Sequence, residues 1–120
     1  MARRVELRLQ DIAEAIGHVR DLMDGRSLAD LTSDAIGRAA FERFMEIISE
    51  ASRHVPAAMK NQHPEIPWQD IANFGNILRH AYHRIDPQVL WETYVNDIGS
   101  LEAAISALRR GMNEGDPAQD

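Results

Sequence analysis

The stretch Ile71-Ala72-Asn73-Phe74-Gly75-Asn76-Ile77-Leu78-Arg79-His80-Ala81-Tyr82-His83-Arg84-Ile85 decides how this chain is read. On a helical wheel at about 100° per residue, Phe74, Ile77, Leu78, Ala81 and Ile85 fall on one side. Asn76, Arg79, His80 and His83 fall together on the other, within an arc of roughly 100°, and Arg84 lies just beyond. A stripe of apolar residues backed by a polar face is a helix laid against a core. Four of the six residues from Arg79 to Arg84 are Arg or His, in a chain with 19 acidic and 13 basic side chains. The segment is therefore both a core-facing helix and the strongest local departure from the bulk charge.

Upstream of it, Asn61-Gln62-His63-Pro64-Glu65-Ile66-Pro67 is rich in breakers and reads as a loop, with the helix starting at Pro67 or Trp68. Before the loop, Ile36, Ala40, Phe44, Ile47, Ile48, Ala51 and Val55 keep helical spacing. They predict the longest helix of the chain, capped at Ser33 or Asp34 and running to about Lys60. Val5, Leu9, Ile12, Ile16, Val19 and Leu22 form another such stripe, and Gly25 is placed to end that helix. Residues 26–31 read as a short loop. Downstream, Asp86-Pro87 reads as a cap followed by a first-turn proline. One further helix then carries Leu90, Trp91, Tyr94, Val95, Ile98, Leu101, Ile105 and Leu108. No strand-like alternation occurs. The fold class expected is all-α, a four- to five-helix up-down bundle. It comprises a single domain over residues 1–110 and a polar, disordered tail over 111–120.

Length and composition agree with one helical core. The chain has 120 residues, 44% of them hydrophobic, and no cysteine. Disulfides, thiolate metal sites and thiol catalysis are thereby excluded. No window approaches the ~20 apolar residues of a membrane span, and charge at Arg3, Arg4 and Glu6 interrupts any signal-like run. A cytoplasmic protein without membrane attachment is expected. The net charge of −6 argues against a general binder of long nucleic acids, but not against a nuclease whose positive charge is local.

The Arg/His face suits phosphodiester cleavage without a metal or cofactor. A histidine titrating near ~6.5 exchanges protons at neutral pH. An arginine stabilises the added charge of a pentacovalent phosphate. Asn76, one turn before His80, is placed to hold the imidazole or a phosphate oxygen. RNA supplies its own nucleophile, the 2′-hydroxyl. The same pattern also describes a solvated helix face, which periodicity alone does not exclude. His80 and His83 stand at i, i+3 without an evident third metal ligand, so no metal site is assigned. His18, His54 and His63 read as isolated surface or loop residues, and Trp68 and Trp91 as core or interface anchors.

The run from Ile66-Pro67-Trp68 through Asn76-Ile77-Leu78-Arg79-His80-Ala81-Tyr82 resembles the signature of the HepT-like (HEPN superfamily) ribonuclease toxins. So do Ile85-Asp86, Leu90-Trp91, Asp97-Ile98 and Leu101. Glu46-Ile47-Ile48-Ser49-Glu50-Ala51-Ser52 is similar to that family's Ile-Gly-Glu-Ala segment, with Ser49 in the glycine's place. The likeness covers roughly residues 5–106. It implies an all-α homodimer, a metal-independent RNA endonuclease, and the toxin of a type II toxin–antitoxin pair neutralised by a minimal nucleotidyltransferase. By the same resemblance His80 matches the catalytic histidine and Asn76 the polar residue after the motif arginine. Tyr82 matches the tyrosine that accepts AMP from the antitoxin, while His83 and Arg84 are further candidates for RNA or phosphate contact.

One position departs from that pattern. The family's arginine, immediately before Asn76, is Gly75 here, and an arginine stands instead at Arg79. Positions 75 and 79 are i, i+4 and differ by only ~40° around the axis. Helical side chains also lean toward the N-terminus, so Arg79 is expected to serve the space above Gly75. Two readings follow. In one, the arginine has moved by a turn and the chain is a ribonuclease. In the other, the chain is a non-catalytic HEPN module that binds nucleotide, RNA or a nucleotidyltransferase partner.

Overall fold

Among the described residues, five helices of ten or more residues and two short ones account for the regular structure. A computed structural model describes residues 2–80 and 85–114, and every regular element within them is helical. In chain order the helices are α1 (Ala2–Met23), α2 (Leu28–Ser33), α3 (Ala35–Arg53), α4 (Ala57–Lys60), α5 (Trp68–His80), α6 (Pro87–Asn96) and α7 (Ile98–Glu114). No helix of the described residues is long and apolar enough to cross a membrane.

The stripes read from the sequence form the core. Leu9, Ile12, Ile16 and Val19 of α1 are buried with Phe41, Met45 and Ile48 of α3, and with Leu101, Ala104, Ile105 and Leu108 of α7. Helix α3 is central: it packs along α1 on one side and α5 on the other, while α7 lies against α1 and α6. A helix flanked on two sides must bury more than an apolar stripe. The buried arc of α3 accordingly takes in Arg38, Ser49 and Ser52.

Several boundaries differ from those expected, each for a local reason. The loop expected at residues 26–31 contains α2, nucleated by a capping box in which Ser27 and Asp30 exchange hydrogen bonds. Asp34, one of the two expected caps, begins α3 by accepting from the Gly37 N–H at 2.9 Å. The second long helix stops at Arg53 rather than Lys60, because Pro56 cannot continue the ladder, and α4 restarts after it. The 22-residue α1 is consequently longer than the 19-residue α3. The single helix expected after Pro87 is two, divided at Asp97, whose φ of −116° leaves the helical range. Helix α7 continues through Gly111 to Glu114, with Met112 packed on the core, so residues 111–114 are helical where a tail was expected. Gly25 does end α1, at a φ of +71°.

Three residues expected on apolar faces are exposed. Ile36, at 84% exposure, lies in the first turn of α3, and Val95, at 57%, in the last turn of α6. Ile77, at 55%, sits at the margin of its stripe, about 60° from Phe74.

Arg38 is the buried charged residue among the described residues, 5% exposed, and it was not singled out in the sequence. Its guanidinium donates to the carbonyl oxygens of Leu31, at 2.9 Å, and Thr32, satisfying the open C-terminus of α2. Replacement by leucine keeps much of the volume, removes the bond to the Thr32 carbonyl and leaves the Leu31 carbonyl with the 3.4 Å bond from the Asp34 N–H. Arg38→Leu is expected to lower unfolding free energy by about 2 kcal/mol in urea denaturation. An unchanged midpoint would show that water satisfies α2 equally well.

Candidate functional site

Helices α3 and α5 run antiparallel. Arg53 reaches Ala72, Ser49 reaches Gly75, and Arg79 shares a depression with Glu46 and Ile47. Besides the apolar side chains the two helices share in the core, the junction is made through backbone. Ser49, 1% exposed, donates its hydroxyl to the Ala72 carbonyl at 3.0 Å and accepts from the Gly75 N–H at 3.1 Å. Arg53 donates to the same Ala72 carbonyl at 2.9 Å. Two side chains of α3 thus grip one turn of α5 immediately before its polar cluster.

Gly75 is required by this approach. A Cβ on it would overlap Ser49 Oγ and stand 2.9 Å from Ser49 Cβ. The serine cannot readily yield, because its hydroxyl is engaged on both sides and Ser52 Oγ donates to its carbonyl at 2.7 Å. The two departures from the family pattern, serine for glycine at 49 and glycine for arginine at 75, therefore face each other across one contact. The small residue stands on α5 instead of α3.

Arg79 occupies the space that Gly75 leaves open. Its Nη1 lies 3.4 Å from the point where a Cβ on Gly75 would be, and its Nη2 donates to Asn76 Oδ1. Both side chains are exposed. The guanidinium edges a depression of about 270 Å³ that also draws Arg8 from α1 and Arg43 from α3, together with Asp11, Glu46 and Glu50. Arg43 is held 3.1 Å from Glu46. Three arginines from three helices converge there, two of them unmarked by the sequence pattern. Arg8 and Arg43 lie far from Arg79 in the chain, and only the packing of α1, α3 and α5 joins them.

His80 is the last residue of α5, directly after Arg79, and its side chain lies outside the described residues. Tyr82, His83 and Arg84 also lie outside them. Of the other described histidines, His54 touches the edge of this cluster through Glu50, while His18 and His63 sit elsewhere. His18 stacks on Phe44 with ring centres 5.1 Å apart, His54 is 3.4 Å from Glu50, and His63 is 3.2 Å from Glu65. Among the described residues, no three His, Asp or Glu side chains converge as a metal site would require.

The family model for ribonuclease HepT-like proteins matches residues 12–108, which include all of α3, α5 and α6. The chain belongs to the HepT-like ribonuclease family. It is 40% identical over 102 residues to a protein of Thermococcus cleftensis named as a probable ribonuclease HepT, covering 85% of this chain and 93% of that one. It is also similar to two proteins provisionally named as RNases. One is from Caldanaerobacter subterraneus subsp. tengcongensis, at 29% identity over 83% of this chain and 89% of that one. The other is from Methanocaldococcus jannaschii, at 29% identity over 86% of this chain and 94% of that one. No solved structure gives a significant match. Family membership supports ribonuclease activity, and RNA is the substrate class that goes with it.

The Ser49–Gly75 contact makes the two positions energetically coupled. Gly75→Ala is expected to destabilise the protein by about 1–3 kcal/mol through overpacking, although alanine is the better helix former. In the Ser49→Gly background the same change is expected to cost far less. A double-mutant cycle by thermal unfolding reads this as a coupling of about 0.5–3 kcal/mol, and additive effects would show that the two residues act independently.

Proposed function

We propose that this HepT-like protein is a metal-independent RNA endonuclease whose motif arginine has been replaced functionally by Arg79. The observation that carries the reading is the guanidinium of Arg79, which lies over Gly75, bonds Asn76 and immediately precedes His80 on α5. A cation held there can meet the charge that develops on a phosphate undergoing in-line attack.

In the reaction, the ribose 2′-hydroxyl gives its proton to an imidazole, and the 2′-oxygen bonds to phosphorus. Arg79 stabilises the phosphorane, with Asn76 orienting its guanidinium. The bond to the 5′-oxygen then breaks and that oxygen takes a proton, leaving a 2′,3′-cyclic phosphate and a 5′-hydroxyl. His80 acts as the general acid/base. A homodimer would bring His80 of the partner subunit to supply the second proton transfer. His83 and Arg84, which follow His80 closely in the sequence, are proposed as further RNA contacts. In the cell the protein is proposed to be a cytoplasmic toxin paired with a minimal nucleotidyltransferase antitoxin, which would neutralise it by binding or by transferring AMP to Tyr82.

A second reading has one observation in its favour. Asp11, Glu46 and Glu50 share the depression with the three arginines, so its net charge is balanced. A balanced polar surface suits a protein partner better than a phosphate chain, as in a non-catalytic module docking a nucleotidyltransferase.

Cleavage of a single-stranded RNA in EDTA separates the two readings. The wild type is expected to cut, leaving cyclic or 3′-phosphate ends. His80→Ala is expected to lose about 10²–10⁴-fold in rate, and Arg79→Ala about 10²–10³-fold. Intact RNA with purified protein, or His80→Ala cutting as well as wild type, would leave the docking module.

A further inference from the structure

Toward the N-terminal end of α5 lies a second depression, of about 490 Å³, with a different electrostatic character. Arg53, Lys60, Asn61, Trp68, Gln69 and Ala72 line it, with no carboxylate among its lining residues. In a chain of net charge −6, this opening is bounded by two cations and two amides. It contrasts with the depression at Arg79, where three carboxylates accompany the three arginines.

Its aromatic wall is fixed. The Trp68 indole N–H donates to the His63 carbonyl at 3.0 Å, which sets the ring plane, and the ring is half-buried against the core. Lys60 Nζ stands over the ring, 6.0 Å from its centre, at the outer limit of a cation–π contact, a weak contact that a stacking base would displace. Arg53 is anchored at the floor by its bond to Ala72. An oriented aromatic face beside two cations is the combination that binds single-stranded nucleic acid: a base stacks on the ring while phosphates lie against the cations.

The placement connects this trough to the candidate active site. Gln69, Ala72, Asn76 and Arg79 follow one another at helical spacings of three and four, so they form one edge of α5. That edge borders α3, as the bonds from Ser49 and Arg53 to Ala72 establish. Trp68 precedes Asn76 by eight residues, about 12 Å along the helix axis, a distance that a strand of a few nucleotides spans.

We propose that the trough between Arg53, Lys60 and Trp68 is an RNA-strand subsite that stacks one base on Trp68 and leads the strand along α5 to Asn76 and Arg79. The course of the strand rests on the ribonuclease reading. The existence of the subsite does not, because it follows from the trough's own residues.

The test uses the full-length protein and a short single-stranded RNA with 2′-O-methyl groups throughout, which binds without being cut. In a Trp91→Phe background, Trp68 is the sole tryptophan, and its emission is expected to be quenched as the oligonucleotide saturates. Trp68→Leu is expected to weaken binding by about tenfold, while Trp68→Phe retains most of it. Lys60→Ala is expected to weaken binding several-fold and to flatten the slope of log K against log salt by about 0.7, the signature of one lost single-strand phosphate contact. Melting temperatures distinguish loss of contact from loss of fold. Unchanged Trp68 emission at saturation, or a Lys60→Ala salt slope equal to wild type, would overturn the subsite. Wild-type cleavage of unmodified RNA is read in parallel. Failure to cut with quenching intact would refute the ribonuclease reading alone, and cutting without quenching would refute the subsite alone.

Discussion

Ser49 stands buried between two helices with its hydroxyl committed at both ends, to the carbonyl of Ala72 and the amide of Gly75. That bridge requires α5 to lie with its backbone against α3, which is possible only where position 75 has no side chain. Much of the polar face follows from it. Close approach brings Arg53 within 2.9 Å of the same Ala72 carbonyl and leaves open space above Gly75, into which Arg79 folds. Glycine within a helix costs about 1 kcal/mol relative to alanine. The buried hydrogen bonds and tight packing it permits offset that cost here.

The same constraint bears on the proposed shift of the cation from position 75 to position 79. An arginine at position 75 and a serine at 49 compete for one volume, so a chain that keeps the serine must draw its cation from elsewhere. One turn further along the same helix edge is the nearest alternative, and the N-terminal lean of helical side chains returns the guanidinium toward the same place. Specificity for a strand of RNA need not come from this point alone. The carboxylate-free trough at Lys60 and Trp68 lies on the same edge of α5 and offers the stacking surface that the Arg79 depression lacks.

Much of the fold was legible in the sequence because its long helices bury apolar stripes at regular spacing. Leu9, Ile12, Ile16 and Val19 became core as the pattern required, as did Ile48, Leu90, Ile98, Leu101, Ile105 and Leu108. What escaped was of two kinds. The ends at Pro56 and the capping box at Ser27 and Asp30 were local signals that a continuous apolar phase concealed. The division at Asp97 has no proline, and the nearby Gly99 did not outweigh the apolar spacing that runs through both helices. Of the candidate site, the neighbourhood of Asn76 and Arg79 was legible because both lie on one edge of one helix. Ser49, Arg8 and Arg43 acquire their meaning from packing across helices: Ser49 and Gly75 are 26 residues apart, and no periodicity relates them.

The central claim is that the position of the cation matters and its residue number does not. The most direct measurement compares the rate of EDTA-resistant RNA cleavage by Arg79→Ala with that of the triple variant Ser49→Gly/Gly75→Arg/Arg79→Ala, both with wild-type helical content by circular dichroism. The account predicts that the triple variant regains most of the rate lost in Arg79→Ala, because the arginine again reaches the same space from position 75. A folded triple variant that cuts no faster than Arg79→Ala would contradict it.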